Sequence, residues 1–312
     1  MQPWMIYTII GVVTFAYFFV GYQLYQKIIH IDPKADYRVV NQDDPFFQPS
    51  WQWFQTVPKE DVTIRAYDQT VLHATFIPSI DKNSTLLAMI FHGYHSNSED
   101  LALIAKMYSD WGFKILLVDQ RGHGKSQGKF TSFGVYEKYD LRKWINYCLR
   151  IYGFNDTILL QGFSMGAATI LQAAGLGLPE NVKLLVCDSP FSTILKTLRR
   201  TIKPKLLLLF FPALHFFTYT QHRFFLSQAN TLKAAAKNHI PTVFVHGDLD
   251  QVTPLSMMKQ LVLAMSKVAT FPYIVKNAPH GEGFIYDKPG LEALLMERLI
   301  QYFNFKRPKQ KK

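Results

Sequence analysis

The sequence predicts an α/β protein: a mostly parallel sheet with helices on both faces, preceded by an apolar N-terminal helix. Two observations carry the sheet. From residue 61 onward, short runs rich in Val, Ile and Leu alternate with stretches of helical period. Most of those runs are continuously apolar, as strands buried on both faces of a parallel sheet are. A third observation sets the front of the chain apart, because residues 1–26 contain no charged side chain.

The first element is Trp4–Tyr25, "WMIYTIIGVVTFAYFFVGYQLY". It is long enough to cross a bilayer, which takes about 20 apolar residues. Trp4, Tyr7, Tyr22 and Tyr25 lie near its two ends, where interface aromatics sit. A cleaved signal peptide would bring a basic start, a shorter apolar run and a small-residue cleavage site, and none is evident. Residues 1–28 are therefore expected to form a single-pass anchor in the cell membrane. Lys27, Lys34 and Arg38 follow the span and no Lys or Arg precedes it, which favours a cytoplasmic position for the large domain. Residues 29–60 mix Pro, Asp and aromatics without a period and read as a linker that becomes an ordered lead-in.

Next, "VTIRAYD" and "VLHATFIPS", on either side of Gln69-Thr70, predict a hairpin. Strands follow at 85–93, 113–122, 157–164 and 181–190. Between them the pattern predicts helices over 98–112, capped by Asn97 or Ser98, over 139–153 and over 165–177. Residues 191–239 then exceed what one crossover helix needs and predict a small helical lid. A strand at 240–248, a helix at 254–268, a strand at 269–278 and a helix at about 290–304 complete a body over 61–305. "KRPKQKK" (306–312) is a basic tail.

With 48% apolar and 18% charged residues in 312, a sizeable core can form and disorder is not expected over most of the chain. A net charge of +11 suits nucleic acid, an anionic membrane surface or acidic substrates. No zinc-ligand spacing, RNA-reading aromatic signature or basic helix favours nucleic acid. Cys148 and Cys187 fall inside apolar runs and read as buried thiols, with no disulfide scaffold or metal site.

Ligands of such sheets sit outside the carboxyl ends of the strands. The candidates for chemistry are therefore Gly93–Tyr94, Asp119, Ser164, Asp188, Asp248, Asp250 and His280. A lone G-x-S-x-G is a weak signal. This one, "GFSMG" (162–166), falls where a buried strand meets a small-residue helix, the setting that pushes a serine hydroxyl out on a sharp bend. A serine needs a base within reach, and the base needs an orienting acid. His280 in "APHGEG" (278–283) supplies the base. "HGDLDQVTP" (246–254) offers two acids, of which Asp250 is favoured because it lies farther into the loop and can reach across to its neighbour. The oxyanion would be held by the backbone N–H groups of Met165 and Tyr94.

"FHGYHSN" (91–97), "DQRGHGKS" (119–126), "GFSMG", "HGDLDQVTP" and "APHGEG" occur in that order over about residues 60–305. On these motifs the chain resembles the α/β-hydrolase superfamily, and within it the serine esterase, lipase and aminopeptidase-like branch. The anchored N-terminus resembles membrane-associated bacterial hydrolases of this kind. The resemblance implies an α/β-hydrolase fold, Ser164 as nucleophile, Asp250 as acid, His280 as base, and Tyr94 and Met165 as oxyanion donors. It also implies loop-shaping roles for Arg121 and His123. The expected reaction is cleavage of carboxylic esters or thioesters through an acyl-enzyme, with no metal or organic cofactor. A peptidase, amidase or acyltransferase of the same fold is the nearest alternative, and a non-catalytic membrane-tethered binding protein is another. The expected partners are a small-molecule or lipid-like ester and, through the N-terminal helix, the membrane; nucleic acid is not among them. In the lid, Phe210, Phe211, Phe216 and Phe217, with Leu206–Leu209, are candidates to line an acyl pocket or touch lipid, and "LKTLRRTIKPK" (195–205) reads as a solvated basic face.

Overall fold

The apolar runs become the strands of one eight-stranded sheet in the computed structural model of the chain, which describes residues 2–32, 35, 41, 43–303 and 305. In chain order the elements begin with α1 (Pro3–Ile28), α2 (Gln48–Thr56), β1 (Glu60–Arg65), β2 (Val71–Ile77) and β3 (Leu86–Phe91). Then come α3 (Ala102–Asp110), β4 (Lys114–Asp119), α4 (Glu137–Ile151), β5 (Thr157–Phe163), α5 (Met165–Ala174) and β6 (Val182–Asp188). The insertion holds α6 (Ile194–Thr201), α7 (Phe211–His222) and α8 (Thr231–Ala235), with a 3-10 turn at Lys205–Phe210. The chain closes with β7 (Thr242–Gly247), α9 (Leu255–Ala264), β8 (Thr270–Val275), α10 (Gly283–Tyr286) and α11 (Lys288–Phe303). The basic tail, Lys34 and Arg38 lie outside the described residues.

The strand order is β1-β2-β4-β3-β5-β6-β7-β8. β2 pairs antiparallel with β1 and β4, and every other pairing is parallel. Successive side chains of a strand point to opposite faces. In β3, Leu87, Met89 and Phe91 accordingly pack on one side with α4, α5 and α9, while Ala88 and Ile90 pack on the other with α3 and α11. Both faces are covered, which is why these strands read as unbroken apolar runs. The parallel arrangement also brings the carboxyl ends of β3 to β8 to one edge.

Two glycines let α5 lie close to the sheet. A Cβ on Gly162 would sit 2.5 Å from the Ala167 nitrogen, and one on Gly166 would sit 2.3 Å from the Phe91 carbonyl oxygen. Both obstacles are backbone, so neither can rotate away. Gly166→Ala is expected to lower the unfolding free energy by about 2–3 kcal/mol. Chemical denaturation measures this, and a loss under about 0.5 kcal/mol would show slack at the bend.

α1 is long and apolar enough to cross a membrane by length and composition. Its first half is exposed from Trp4 to Phe15, whereas Gly21, Leu24, Tyr25 and Ile28 are buried. The burial is against the insertion. The Tyr17 ring lies 5.2 Å from that of Phe210, and a Cβ on Gly21 would lie 2.3 Å from that of Ala213. The segment after α1 is pinned to the body. Ile29 and Ile31 are fully buried, Ile31 N–H donates to the Lys129 carbonyl (2.9 Å), and Thr131 N–H donates to the Ile29 carbonyl (2.9 Å).

Candidate active site

Four loops meet at the carboxyl edge of the sheet. The first is the bend between β5 and α5. Ser164 has φ 50° and ψ −108°, a left-handed conformation that is strained for a residue with a Cβ. The bend is held by Ser164 N–H donating to the Asp188 carbonyl (2.8 Å) and Ala168 N–H donating to the Ser164 carbonyl (3.0 Å). It leaves the Ser164 side chain partly exposed above a buried helix.

The loops after β7 and β8 cross closely: a Cβ on Gly247 would sit 2.0 Å from the Ala278 carbonyl oxygen. That crossing sets Asp250 beside His280. His280 Nδ1 lies 2.7 Å from Asp250 Oδ2, and His280 Nε2 lies 2.8 Å from Ser164 Oγ. A carboxylate can only accept, so Nδ1 carries the proton and Nε2 is left as an acceptor for the serine hydroxyl. Asp250 is buried and receives Val252 N–H (2.9 Å) and Thr253 N–H (2.8 Å) on Oδ1, and the Thr253 hydroxyl (2.9 Å) on Oδ2. Burial pushes its carboxyl up, but the His280 hydrogen bond and charge, with the Thr253 donors, outweigh that and hold it below the ordinary carboxylate range. Asp248 is exposed and accepts Asn277 N–H (2.7 Å), as a turn-capping acid does.

Tyr94 and Met165 line the same cavity as Ser164 and His280. Met165 opens α5, so its N–H has no acceptor within the helix. The Tyr94 loop abuts the serine, since a Cβ on Gly93 would lie 3.6 Å from that of Ser164. Other strand-end residues shape this loop. His95 N–H donates to His123 Nε2 (3.3 Å), and His123 Nδ1 is 3.0 Å from the Arg121 carbonyl oxygen. Burial pushes the His123 imidazole down to about 3, which keeps it a neutral acceptor. Arg121 forms a two-pronged pair with Asp140 (2.7 and 2.9 Å) and a bond to Asp68 (2.9 Å). Asp119 accepts Ser98 N–H (2.9 Å) and Lys125 N–H (3.0 Å). Asp188 accepts the Ser189 hydroxyl (2.8 Å), whose oxygen in turn accepts Gly281 N–H (3.3 Å), next to His280; burial pushes Asp188 up to about 7.

The cavity measures about 610 Å³, and its walls include Leu24, Ile28, Phe133, Phe191, Leu198 and Leu207. The four lid phenylalanines named from the sequence are not in its lining. α1 occupies the lid face that carries them: Phe210 meets Tyr17 (5.2 Å), Phe216 meets Phe18 (5.3 Å) and Phe217 meets Tyr22 (5.3 Å). Phe211 is buried in the cluster that joins the lid to α1. Of Leu206–Leu209, Leu207 alone lines the cavity. Sequence reading missed Leu24, Lys27 and Ile28, because a uniformly apolar helix gives no sign of which turn faces a pocket.

The family model described as "Serine aminopeptidase, S33" matches residues 83–223. The chain is 25% identical to the uncharacterized protein YqkD of Bacillus subtilis, over 93% of this chain and 95% of that one. Among solved structures it is similar to the Pyrococcus furiosus esterase Pf2001, with a TM-score of 0.67 and 22% identity over 88% of this chain and 99% of that one. It is also similar to the Pyrococcus horikoshii acylaminoacyl peptidase, with a TM-score of 0.62 and 16% identity over 85% of this chain and 44% of that one. At such identities the structural likeness speaks to the fold. A mostly parallel sheet in this order, shared along nearly the whole body with esterase and peptidase structures, is the α/β-hydrolase architecture, and the chain has that fold.

Proposed function

We propose that the protein is a membrane-anchored serine hydrolase that cleaves carboxylic esters or thioesters. The observation that carries the reading is the hydrogen-bonded chain Asp250–His280–Ser164, with spacings of 2.7 and 2.8 Å at the wall of an apolar cavity. Ser164 Oγ attacks the substrate carbonyl carbon while His280 Nε2 takes its proton. Asp250 keeps Nδ1 protonated and favours the imidazolium that forms. The negative oxygen of the tetrahedral intermediate lies toward the N–H groups of Met165 and Tyr94. His280 then gives its proton to the leaving alcohol or thiol, and water repeats the sequence on the acyl-enzyme to release the acid. Arg121 and His123 act on the loops and take no part in proton transfer.

In the same reading α1 crosses the cell membrane once and the domain faces the cytoplasm, as the cations after the span favour. Phe154 is exposed on the body, so a Phe154→Cys variant offers a thiol to a membrane-impermeant reagent. Labelling of that variant from outside intact cells would reverse the orientation.

A fluorophosphonate probe is expected to label Ser164, and p-nitrophenyl esters to be hydrolysed faster than aminoacyl anilides. The two substrate sets separate an esterase from a peptidase, which the description of the family model makes the pertinent comparison. Folded protein that takes no label at Ser164 would instead be a binding module.

A further inference from the structure

The end of α1 does more than tether the chain. A hydrocarbon layer about 30 Å thick takes about 20 helical residues at about 1.5 Å each. Counted from Trp4, a span of that length ends near Gln23. The lid touches α1 inside that span: the Tyr17 hydroxyl donates to the Leu209 carbonyl (3.2 Å), and the Phe18 and Tyr22 rings pack on Phe216 and Phe217. Beside these contacts Leu206, Leu209 and Phe216 are 67%, 64% and 50% exposed. A membrane crossed by α1 therefore surrounds those three side chains at acyl-chain depth. One turn farther, Leu24, Lys27 and Ile28 reach headgroup depth, and all three line the cavity that holds Ser164 and His280.

The cavity matches that position. Its lining is largely apolar, and no carboxylate is among the described residues that line it. Lys27 and Lys203 line it too, are exposed, and form no ion pair among the described residues. Beyond Lys203, the Lys196 ammonium donates to Gln260 Oε1 (2.8 Å), Arg200 to the Gln251 carbonyl (2.7 Å) and Lys205 to the Arg200 carbonyl (2.9 Å). These acceptors are neutral, so the charge of this face is left for an external anion.

We propose that the substrate is an acyl ester with an anionic headgroup, drawn from the leaflet in which the lid and α1 sit. Its acyl chain lies in the cavity, its carbonyl at Ser164 and its negative group between Lys27 and Lys203. Ser164 Oγ adds to the acyl carbon as His280 takes its proton, the tetrahedral intermediate expels the headgroup alcohol with that proton, and water then frees the fatty acid. This rests on the serine-hydrolase reading and names the substrate class of the same site.

The test uses the full chain in vesicles of ether-linked phosphatidylcholine, which offers no acyl ester of its own. Release of fatty acid is measured from lysophosphatidylglycerol and from a neutral monoacylglycerol with the same acyl chain. The anionic ester is expected to show a kcat/KM about tenfold higher. Lys27→Ala with Lys203→Ala should bring that ratio to within about twofold, and the paired Lys→Arg variant should restore it. Equal turnover of the two esters by the native protein overturns the proposal, as does a ratio that survives the alanine pair. So does a water-soluble butanoyl ester of the same headgroup that is cleaved as efficiently as the vesicle-borne one. Fluorophosphonate labelling in parallel separates the failures. Label without a charge preference sinks the substrate class alone, and a folded protein without label sinks the hydrolase reading.

Discussion

Ser164→Ala is expected to lower kcat/KM for ester hydrolysis by about ten-thousandfold to a millionfold. The hydroxyl is the only group removed, and His280 Nε2 (2.8 Å away) then has no proton to take. Alanine tolerates φ 50° no worse than serine, and the bend is fastened by backbone bonds to Asp188 and Ala168 that the change leaves alone. Stability should stay within about 1 kcal/mol of the native value, so a lost rate reports chemistry and not unfolding. Rates with p-nitrophenyl esters and a denaturation midpoint, measured on the same preparation, decide it. Activity within tenfold of the native protein would exclude Ser164 as nucleophile.

Asp250→Asn is expected to lower kcat by about a thousandfold to ten-thousandfold, through the wrong imidazole tautomer. The asparagine must keep its oxygen on the side of the Val252 and Thr253 N–H groups, because an amide nitrogen there would face two donors. Its NH2 then points at His280 Nδ1 and forces that nitrogen to accept. The proton moves to Nε2, and the base that should receive the Ser164 proton is already occupied. Asp248→Asn is the control, since Asp248 is exposed and serves a turn, and its kcat should stay within about threefold of native. Equal losses at the two positions would refute the assignment of Asp250.

The reach of the sequence can be judged from particular residues. The sheet and its helices were legible because a strand buried on both faces carries its apolar run locally, as "TLLAMIFHG" does. The bend at Ser164 was legible because close helix-to-strand packing demands glycine at 162 and 166, and both are there. Asp250 and His280 needed only chain order and strand ends to be suggested, and the structure brings them and Ser164 within hydrogen-bond distance. The insertion between β6 and β7 was legible as an excess of chain, but its contact with α1 was not. Tyr17 and Leu209 meet although 192 positions separate them. An apolar helix has the same hydropathy whether it faces lipid or protein, so Phe210, Phe216 and Phe217 could not be told from pocket-lining residues. Gly21 opposite Ala213 is the local trace of that contact, and it is visible only once both helices are in place.

The Tyr94 hydroxyl donates to the carbonyls of Ile28 (3.1 Å) and Lys27 (3.3 Å). Through that one ring, the loop beside the serine is fastened to the last turn of the leading helix. Trimming the chain after Ile28 to obtain a readily soluble body would thus cut away three cavity-lining residues and both acceptors of this phenol at a stroke. Purification strategies that treat the greasy leader as a disposable handle would be working with a different cavity.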